Sequence, residues 1–277
     1  MIVDTYAASA PMRREGRELE NTTVLFTTFG ATMAMMVVLW LISLAIRNAS
    51  IVDIFWGAGF AAISLVTFTL TDGHRPRKAL ITLLAVIWGL RLAIHIGWRN
   101  HGKGEDFRYQ AMRKRKGDRF AFASLYSVFG LQGILMWVIS LPLQVAQLSP
   151  EPLRLTWLDF LGAALWLIGL CFEAVGDWQL ARFKADPGNK GKVMDRGLWG
   201  YTRHPNYFGD ALLWWGLFLI ALATGGWWTV ISPIIMTILL MKVSGVALPE
   251  KTLVKTRPEY RDYVRRTSAF FPLPPRG

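Results

Sequence analysis

The sequence predicts an all-α polytopic membrane protein, a bundle of seven transmembrane helices with cofactor-binding loops on the cytosolic side. Three observations predict it. Of 277 residues, 53% are hydrophobic and 13 are Trp. Windows of about 20 apolar residues recur, each long enough to cross a hydrocarbon core. The cations gather in a few segments between those windows, as the positive-inside rule requires of cytosolic loops. The same rule accounts for the net charge of +12 without any nucleic-acid partner. The one cysteine, Cys171, permits no intrachain disulfide. The first apolar run is too long for a cleavable signal.

Residues 1–22 form an N-terminal arm whose Arg13, Arg14 and Arg17 balance Glu15, Glu18 and Glu20, a short surface helix or a disordered arm. Residues 23–277 form a single membrane domain. Its first span runs from about Thr23 to Ile46, and its second from about Ile51 to Leu70. The third, about Ala79 to Trp98, follows a turn containing Gly73 and Pro76. A basic loop, Arg99 to Arg119, leads to an over-long fourth span, about Phe120 to Leu148, in which Pro142 predicts a kink. The fifth span is about Trp157 to Gly176, followed by a polar segment from Asp177 to Asn206. The sixth span covers about Tyr207 to Thr224. After Gly225-Gly226 comes the seventh, about Trp227 to Leu248, and then a basic tail.

The loops after spans three and five and the tail share one side and hold most Lys and Arg. Orientation follows: N-terminus outside, C-terminus cytoplasmic, in what is expected to be the bacterial inner membrane.

Polar residues at span ends carry the functional argument. Pro205 opens span six, because its missing N–H would have had no partner in the first turn. Asn206 and Asp210 then share a helical face with Trp214, and Arg203 and His204 stand just outside. Asp53, near the start of span two with Trp56 on its face, is a carboxyl inside the bilayer, a functional candidate by default. Its alternative role is a buried ion pair with Arg91. Arg91 and His95 are four apart on span three, with Trp88 on nearly the same stripe; this is either a site or structural glue. Gly104-Glu-Asp-Phe-Arg-Tyr109 sets two acids and an aromatic in a basic loop, where they either meet a nucleotide or pair with neighbouring Arg. Lys184, Lys190, Lys192, Arg196 and Arg203 would suit phosphates or, equally, anionic headgroups. Glu173 and Asp177 form an i, i+4 acidic pair at the end of span five.

The stretch Gly197-Leu-Trp-Gly-Tyr-Thr-Arg-His-Pro-Asn-Tyr-Phe-Gly-Asp210 resembles the C-terminal signature of the membrane-embedded steroid 5-alpha-reductase family, and that of the sterol C14- and C7-reductases. The resemblance extends over about Ile51 to Pro272 and implies NADPH-dependent reduction of an enone double bond in a steroid-like or other apolar lipid. It matches Asp53 to the family's second-helix acid and Arg91 to a third-helix Arg; Asp53, kept protonated by its apolar setting, is expected to polarise the carbonyl, with His95 or Arg91 assisting. The cofactor would be held by Asp106, Arg108, Tyr109, Asp177, Lys184, Lys192, Arg203, His204, Asn206, Tyr207, Asp210, Glu250 and Tyr260. Trp56 and Trp88 would touch substrate. Trp88 stands where the family has a carbonyl-polarising Tyr, so strict 3-oxo-steroid chemistry would need another donor. No metal is expected, and the chain is expected to be monomeric, with membrane lipids around it. The alternative is a membrane S-adenosylmethionine-dependent methyltransferase of the isoprenylcysteine type, which shares a similar Arg-His-Pro-x-Tyr signature. A third class is a non-enzymatic lipid-binding scaffold or transporter.

Overall fold

A computed structural model describes residues 4–243 and 258–276, with side chains from 18 to 242 and from 259 to 276. Every regular element in it is helical. Among the described residues no strand forms, only an isolated bridge between Thr202 and Ser268. Contacts divide the chain into two compact units, 1–154 and 155–277.

In the first unit α1 (Asp4–Ala45) merges the expected arm and first span into one helix. Helix α2 (Ile51–Leu70) has the expected bounds, and α3 (Arg75–Asn100) starts a turn earlier than its apolar run. The basic loop contains a further helix, α4 (Phe107–Lys116). Beyond it come α5 (Phe120–Ser124), a π-helical stretch Leu125–Gly130, α6 (Leu131–Ile139) and α7 (Leu141–Leu148). The break between α6 and α7 falls at Ser140, two residues before Pro142, where the missing N–H and the ring stop the ladder.

Helices α2 and α3 approach at backbone contact. A Cβ on Gly57 would meet the Gly89 carbonyl oxygen, and one on Gly89 would meet that of Gly57. Further along, buried amides knit the bundle. Gln147 Nε2 donates to Leu143 O at 2.9 Å and to Ser64 Oγ at 3.2 Å, and its Oε1 accepts from Thr82 at 3.2 Å. Gln144 accepts from Thr28 at 2.6 Å and donates to Ser140 at 2.8 Å. Polar groups in lipid are tolerated when they are satisfied inside the protein in this way. Arg77 is fully buried, donating to the carbonyls of Pro152 and Arg154 at 3.2 and 2.9 Å.

The second unit is built on α8 (Trp157–Ala185) and α10 (Pro205–Leu222), with the single turn α9 (Leu198–Tyr201) between them. Helix α8 opens with a capping box, Thr156 with Asp159, and runs nine residues past the expected end of its span. Asp177 and Lys184 are therefore helical residues, not loop residues. Glycines at seven-residue spacing make the α8–α10 seam. Gly162 faces Gly216, Gly169 faces Gly209, and Gly176 faces Pro205, so the helices run antiparallel at backbone contact. After Trp227–Val230 and α11 (Ile231–Ile238), the described chain resumes in a tail helix, α12 (Pro258–Arg266).

Among the described residues, five helices are long and apolar enough to cross a membrane: Glu18–Ala45, Ile51–Leu70, Arg75–Asn100, Phe107–Ile139 and Trp157–Ala185. Of the two remaining expected spans, Trp227–Lys242 is a shorter apolar helix, and α10 carries Asn206 and Asp210 in its first turns. The chain thus has the helices of an integral membrane protein.

Candidate functional site

In the first unit the candidate residues gather where α2 begins. Asp106 is the N-cap of α4, accepting from the Arg108 N–H at 2.9 Å, so Gly104–Tyr109 is the entry to a helix. This entry is clamped to the α1–α2 connection. The Asp106 N–H donates to Ser50 Oγ at 2.6 Å, and the Ala49 N–H donates to Glu105 Oε1 at 2.8 Å. Arg113 returns two turns later to fork onto Glu105 at 2.8 and 3.1 Å, with its guanidinium 4.1 Å over the Phe120 ring.

These clamps deliver Arg108 and Tyr109 to Asp53. Arg108 Nη2 lies 2.8 Å from Asp53 Oδ2, while its Nε lies 2.8 Å from Asp106 Oδ1. The Tyr109 hydroxyl donates to Asp53 Oδ1 at 2.7 Å and accepts from Gln132 Nε2 at 3.3 Å. Both oxygens of Asp53 are thus occupied as acceptors, one by a guanidinium and one by a phenol. Arg108 thus supplies a cation, and Tyr109 a hydroxyl, that the sequence did not pair with Asp53. The sequence missed both neighbours because they arrive from 55 residues away, around a turn whose geometry no periodicity encodes.

Burial alone would raise the Glu105 carboxyl, but the hydrogen bonds from Arg113 and the Ala49 N–H outweigh it and hold the group below the ordinary carboxylate range. Asp106 behaves alike: burial pushes up, and hydrogen bonds from the Arg108 side chain and N–H bring it down. Of the other residues expected here, Arg91 and His95 are half-buried on α3, with the His95 ring 6.4 Å from Trp98. Trp56 meets Phe60 edge-on at 5.5 Å, and Trp88, fully buried, packs 5.6 Å from the same Phe60. Trp88 is therefore part of the α2–α3 packing.

In the second unit the signature segment is laced to α8 and to the tail. Gln179 accepts from the Leu198 N–H at 3.0 Å, and the Trp199 indole donates to Gly176 O at 3.0 Å. Tyr263 donates to Trp199 O at 2.6 Å, and Thr202 donates to Phe270 O at 2.8 Å. Arg203, expected on a cofactor phosphate, is buried and donates through Nη1 to Thr267 O at 2.7 Å and Val264 O at 3.1 Å. Its backbone N–H also reaches Ser268 O at 2.9 Å. Its described role is to hold the tail. Tyr260, expected on the cofactor, is likewise buried, edge-on to Tyr263 at 5.6 Å.

Asn206 and Asp177 meet across the α8–α10 seam, with Asn206 Nδ2 donating to Asp177 Oδ1 at 3.0 Å. The remaining Asn206 acceptor, Oδ1, is buried and takes no hydrogen bond from the described residues. A buried acceptor in this state calls for a donor from elsewhere. Asp210 is buried one turn on, Glu173 is buried one turn before Asp177, and the His204 and Tyr207 rings stack at 5.3 Å. Lys184 and Lys192 are exposed. Glu250 lies outside the described residues. The sequence reading passed over Gln132, although a lone amide in an apolar run is itself a signal.

Comparison with known proteins adds a family. The profile of the family described as "Protein of unknown function (DUF1295)" matches residues 39–267. An uncharacterised protein of Schizosaccharomyces pombe is 24% identical over 263 residues, covering 85% of this chain and 76% of its own length. The 3-oxo-5-alpha-steroid 4-dehydrogenase 1 of Bos taurus is 37% identical over 67 residues, 24% of this chain and 26% of the bovine enzyme. No solved structure matches.

Proposed function

The chain belongs to the DUF1295 family, part of the steroid 5-alpha-reductase-like superfamily, and on that footing we propose that it is an NADPH-dependent membrane reductase. Its substrate would be a conjugated enone in a steroid-like or other apolar lipid taken from the bilayer. In this reading α10 and the helix after Trp227 bring the spans to seven, with the N-terminus outside and the signature at the cytosolic face. The local likeness to the bovine steroid dehydrogenase supports the reaction class.

The observation that carries the reading is the Asp177–Asn206 pair with its unfilled acceptor. Asp177 fixes the Asn206 amide so that Oδ1 stays buried and open to a donor. A carboxamide N–H, as nicotinamide offers, is a fitting donor. Asp210, a turn deeper, and the His204–Tyr207 stack would flank that end, while Lys184 and Lys192 would face the phosphates. The bound cofactor would supply a hydride. Asp53 is an acceptor on both oxygens and holds Arg108 and Tyr109 in place, and Arg91 and His95 are further candidates to touch substrate.

The test is binding, followed by turnover. The full chain in lipid nanodiscs is titrated calorimetrically with NADPH and, separately, with S-adenosylmethionine. It is then supplied with NADPH and enone lipids while reduced-nicotinamide absorbance is followed. Saturable NADPH binding that weakens in Asn206→Leu, together with enone-dependent oxidation, is expected. Binding of S-adenosylmethionine alone would overturn the reading.

A further inference from the structure

We propose that the last turn of α4, together with the turn that follows it, is a docking surface for anionic phospholipid headgroups. The inference concerns the first unit alone and does not rest on the reductase reading.

Where α4 lies follows from what holds its two ends. Its entry is clamped to Ala49 and Ser50, between α1 and α2. Its far end returns to the start of the fourth span, where Arg113 covers the Phe120 ring at 4.1 Å and the Met112 sulfur accepts from Ser127 Oγ at 3.8 Å. That start is in turn tied to α1, because the Trp40 indole donates to Ala121 O at 2.9 Å. Pinned at both ends to the ends of membrane helices, α4 lies across them at the boundary of hydrocarbon and water. Length agrees with this placement. The helical run Phe107–Ile139 has 33 residues, and about 20 cross the hydrocarbon core. Its polar opening, α4, is left at the surface.

The cations here divide into two groups. Arg108 and Arg113 are matched by Asp53, Asp106 and Glu105. Lys114, Arg115, Lys116 and Arg119 are exposed, and none of them meets a carboxylate among the described residues. Asp118 is the one acid from 107 to 119. A helix C-terminus favours cations by itself, but the helix ends at Gly117, and Arg119 lies beyond it. Direction decides what the four can hold. Successive helical residues point about 100° apart, so Lys114, Arg115 and Lys116 fan around the axis and do not converge on one phosphate. A fan of point charges fits a plane of many headgroups better than a single nucleotide. Exposed aromatics flank it: Phe107 at the other end of α4, and Phe122 and Tyr126 in the span, with rings 5.6 Å apart. Aromatic rings anchor proteins at this depth of a bilayer. Each cation of a polybasic segment beside a span favours anionic lipid by about fivefold.

The test places the full chain in phosphatidylcholine vesicles carrying a trace of spin-labelled phosphatidylglycerol or spin-labelled phosphatidylcholine. Electron paramagnetic resonance then reads the relative association of each lipid with the protein. Wild type should prefer phosphatidylglycerol, and the preference should fade at about 1 M salt, where charges are screened within about 3 Å. Combining Lys114→Gln, Arg115→Gln, Lys116→Gln and Arg119→Gln should lower the preference by about fivefold. Lys114→Gln with Arg115→Gln alone should lower it by a smaller factor, and this pair decides the matter if the fourfold variant does not fold. The control removes four exposed cations of the second unit, with Lys190→Gln, Arg196→Gln, Arg261→Gln and Arg265→Gln, and should keep the preference. Equal loss in the two fourfold variants would assign the effect to net charge and overturn the proposal, as would an undiminished preference in the α4 variants. Displacement of phosphatidylglycerol by NADPH would give these cations to a nucleotide and overturn it too. A chain that binds no NADPH yet shows the α4-dependent preference loses the reductase reading and keeps this one.

Discussion

Replacing Gly209 by alanine should destabilise the second unit, although alanine is the better helix former. The added Cβ would lie against the Gly169 carbonyl oxygen, 2.5 Å from the Glu173 backbone nitrogen and 3.0 Å from Phe172 Cβ. Carbon contacts are comfortable at about 3.5–4.0 Å, so the α8–α10 seam must open by about 1 Å there. The obstructing atoms are mostly backbone, which cannot swing aside. Overpacking of this kind costs about 1–3 kcal/mol, and the helix-propensity gain offsets about 0.5–1 kcal/mol. A net loss of up to about 2.5 kcal/mol follows, which for a chain of this size lowers Tm by up to roughly 10 °C. The control is Gly30→Ala in α1, where a Cβ meets nothing within 4 Å and only the propensity gain should remain. Thermal unfolding of both variants in one detergent reads the contrast. Gly169→Ala combined with Gly209→Ala should cost less than the sum, because the first separation already makes room for the second. Equal upward shifts of Tm for Gly209→Ala and Gly30→Ala would refute the seam.

Two further outcomes follow from the hydrogen bonds at the two sites. Glu105 and Asp106 both titrate lower folded than unfolded, so their contribution to stability is fully present above the ordinary carboxylate pKa, near 4. It is lost only as pH falls through the depressed folded values. Hydrogen exchange at the Ala49 and Asp106 amides should therefore stay slow as pH drops through that range, once intrinsic rates are corrected, and protection that vanishes well above it would contradict the clamp. Arg203→Ala leaves the Thr267 and Val264 carbonyls without their donor, a loss of about 1–3 kcal/mol per unmet buried group. Limited proteolysis should then cut between residues 264 and 270 in the variant before it cuts the wild type there.

What the sequence made legible was whatever repeats along a helix. Apolar windows gave α2 its bounds, Pro142 marked the break before α7, and the Pro205 opening of α10 could be read from one residue. What it hid was whatever depends on where a turn sends the chain. Arg108 looked like one cation among eight in a basic loop, available to a phosphate. Asp106 was read as meeting either a nucleotide or a neighbouring Arg; it meets Arg108, and as the N-cap of a short helical run it aims that Arg at Asp53. Arg203 was legible as important, but its contacts with the tail were not. A guanidinium next to a signature suggests an anion, yet its five donors serve equally well on carbonyls of a tail more than sixty residues later.

This redistribution bears on the chemistry. If every cation near the signature and the basic loop stood ready for phosphate, the chain would have charge to spare and the acids would be incidental. Instead Arg108 and Arg113 are matched by Asp53, Asp106 and Glu105, three carboxylates for two guanidiniums. A group with that balance does not recruit an anion. It fixes the direction of a neutral hydrogen-bond donor among them, the Tyr109 phenol, which donates to Asp53 and accepts from Gln132. In the proposed reductase, a neutral donor held in place by such an ion cluster would suit a ketone oxygen, which carries little charge until the transition state and then carries a great deal. Under the proposed function, charge recognition would fall to Lys184 and Lys192 of the second unit, and the first unit's cluster would face the uncharged part of the ligand.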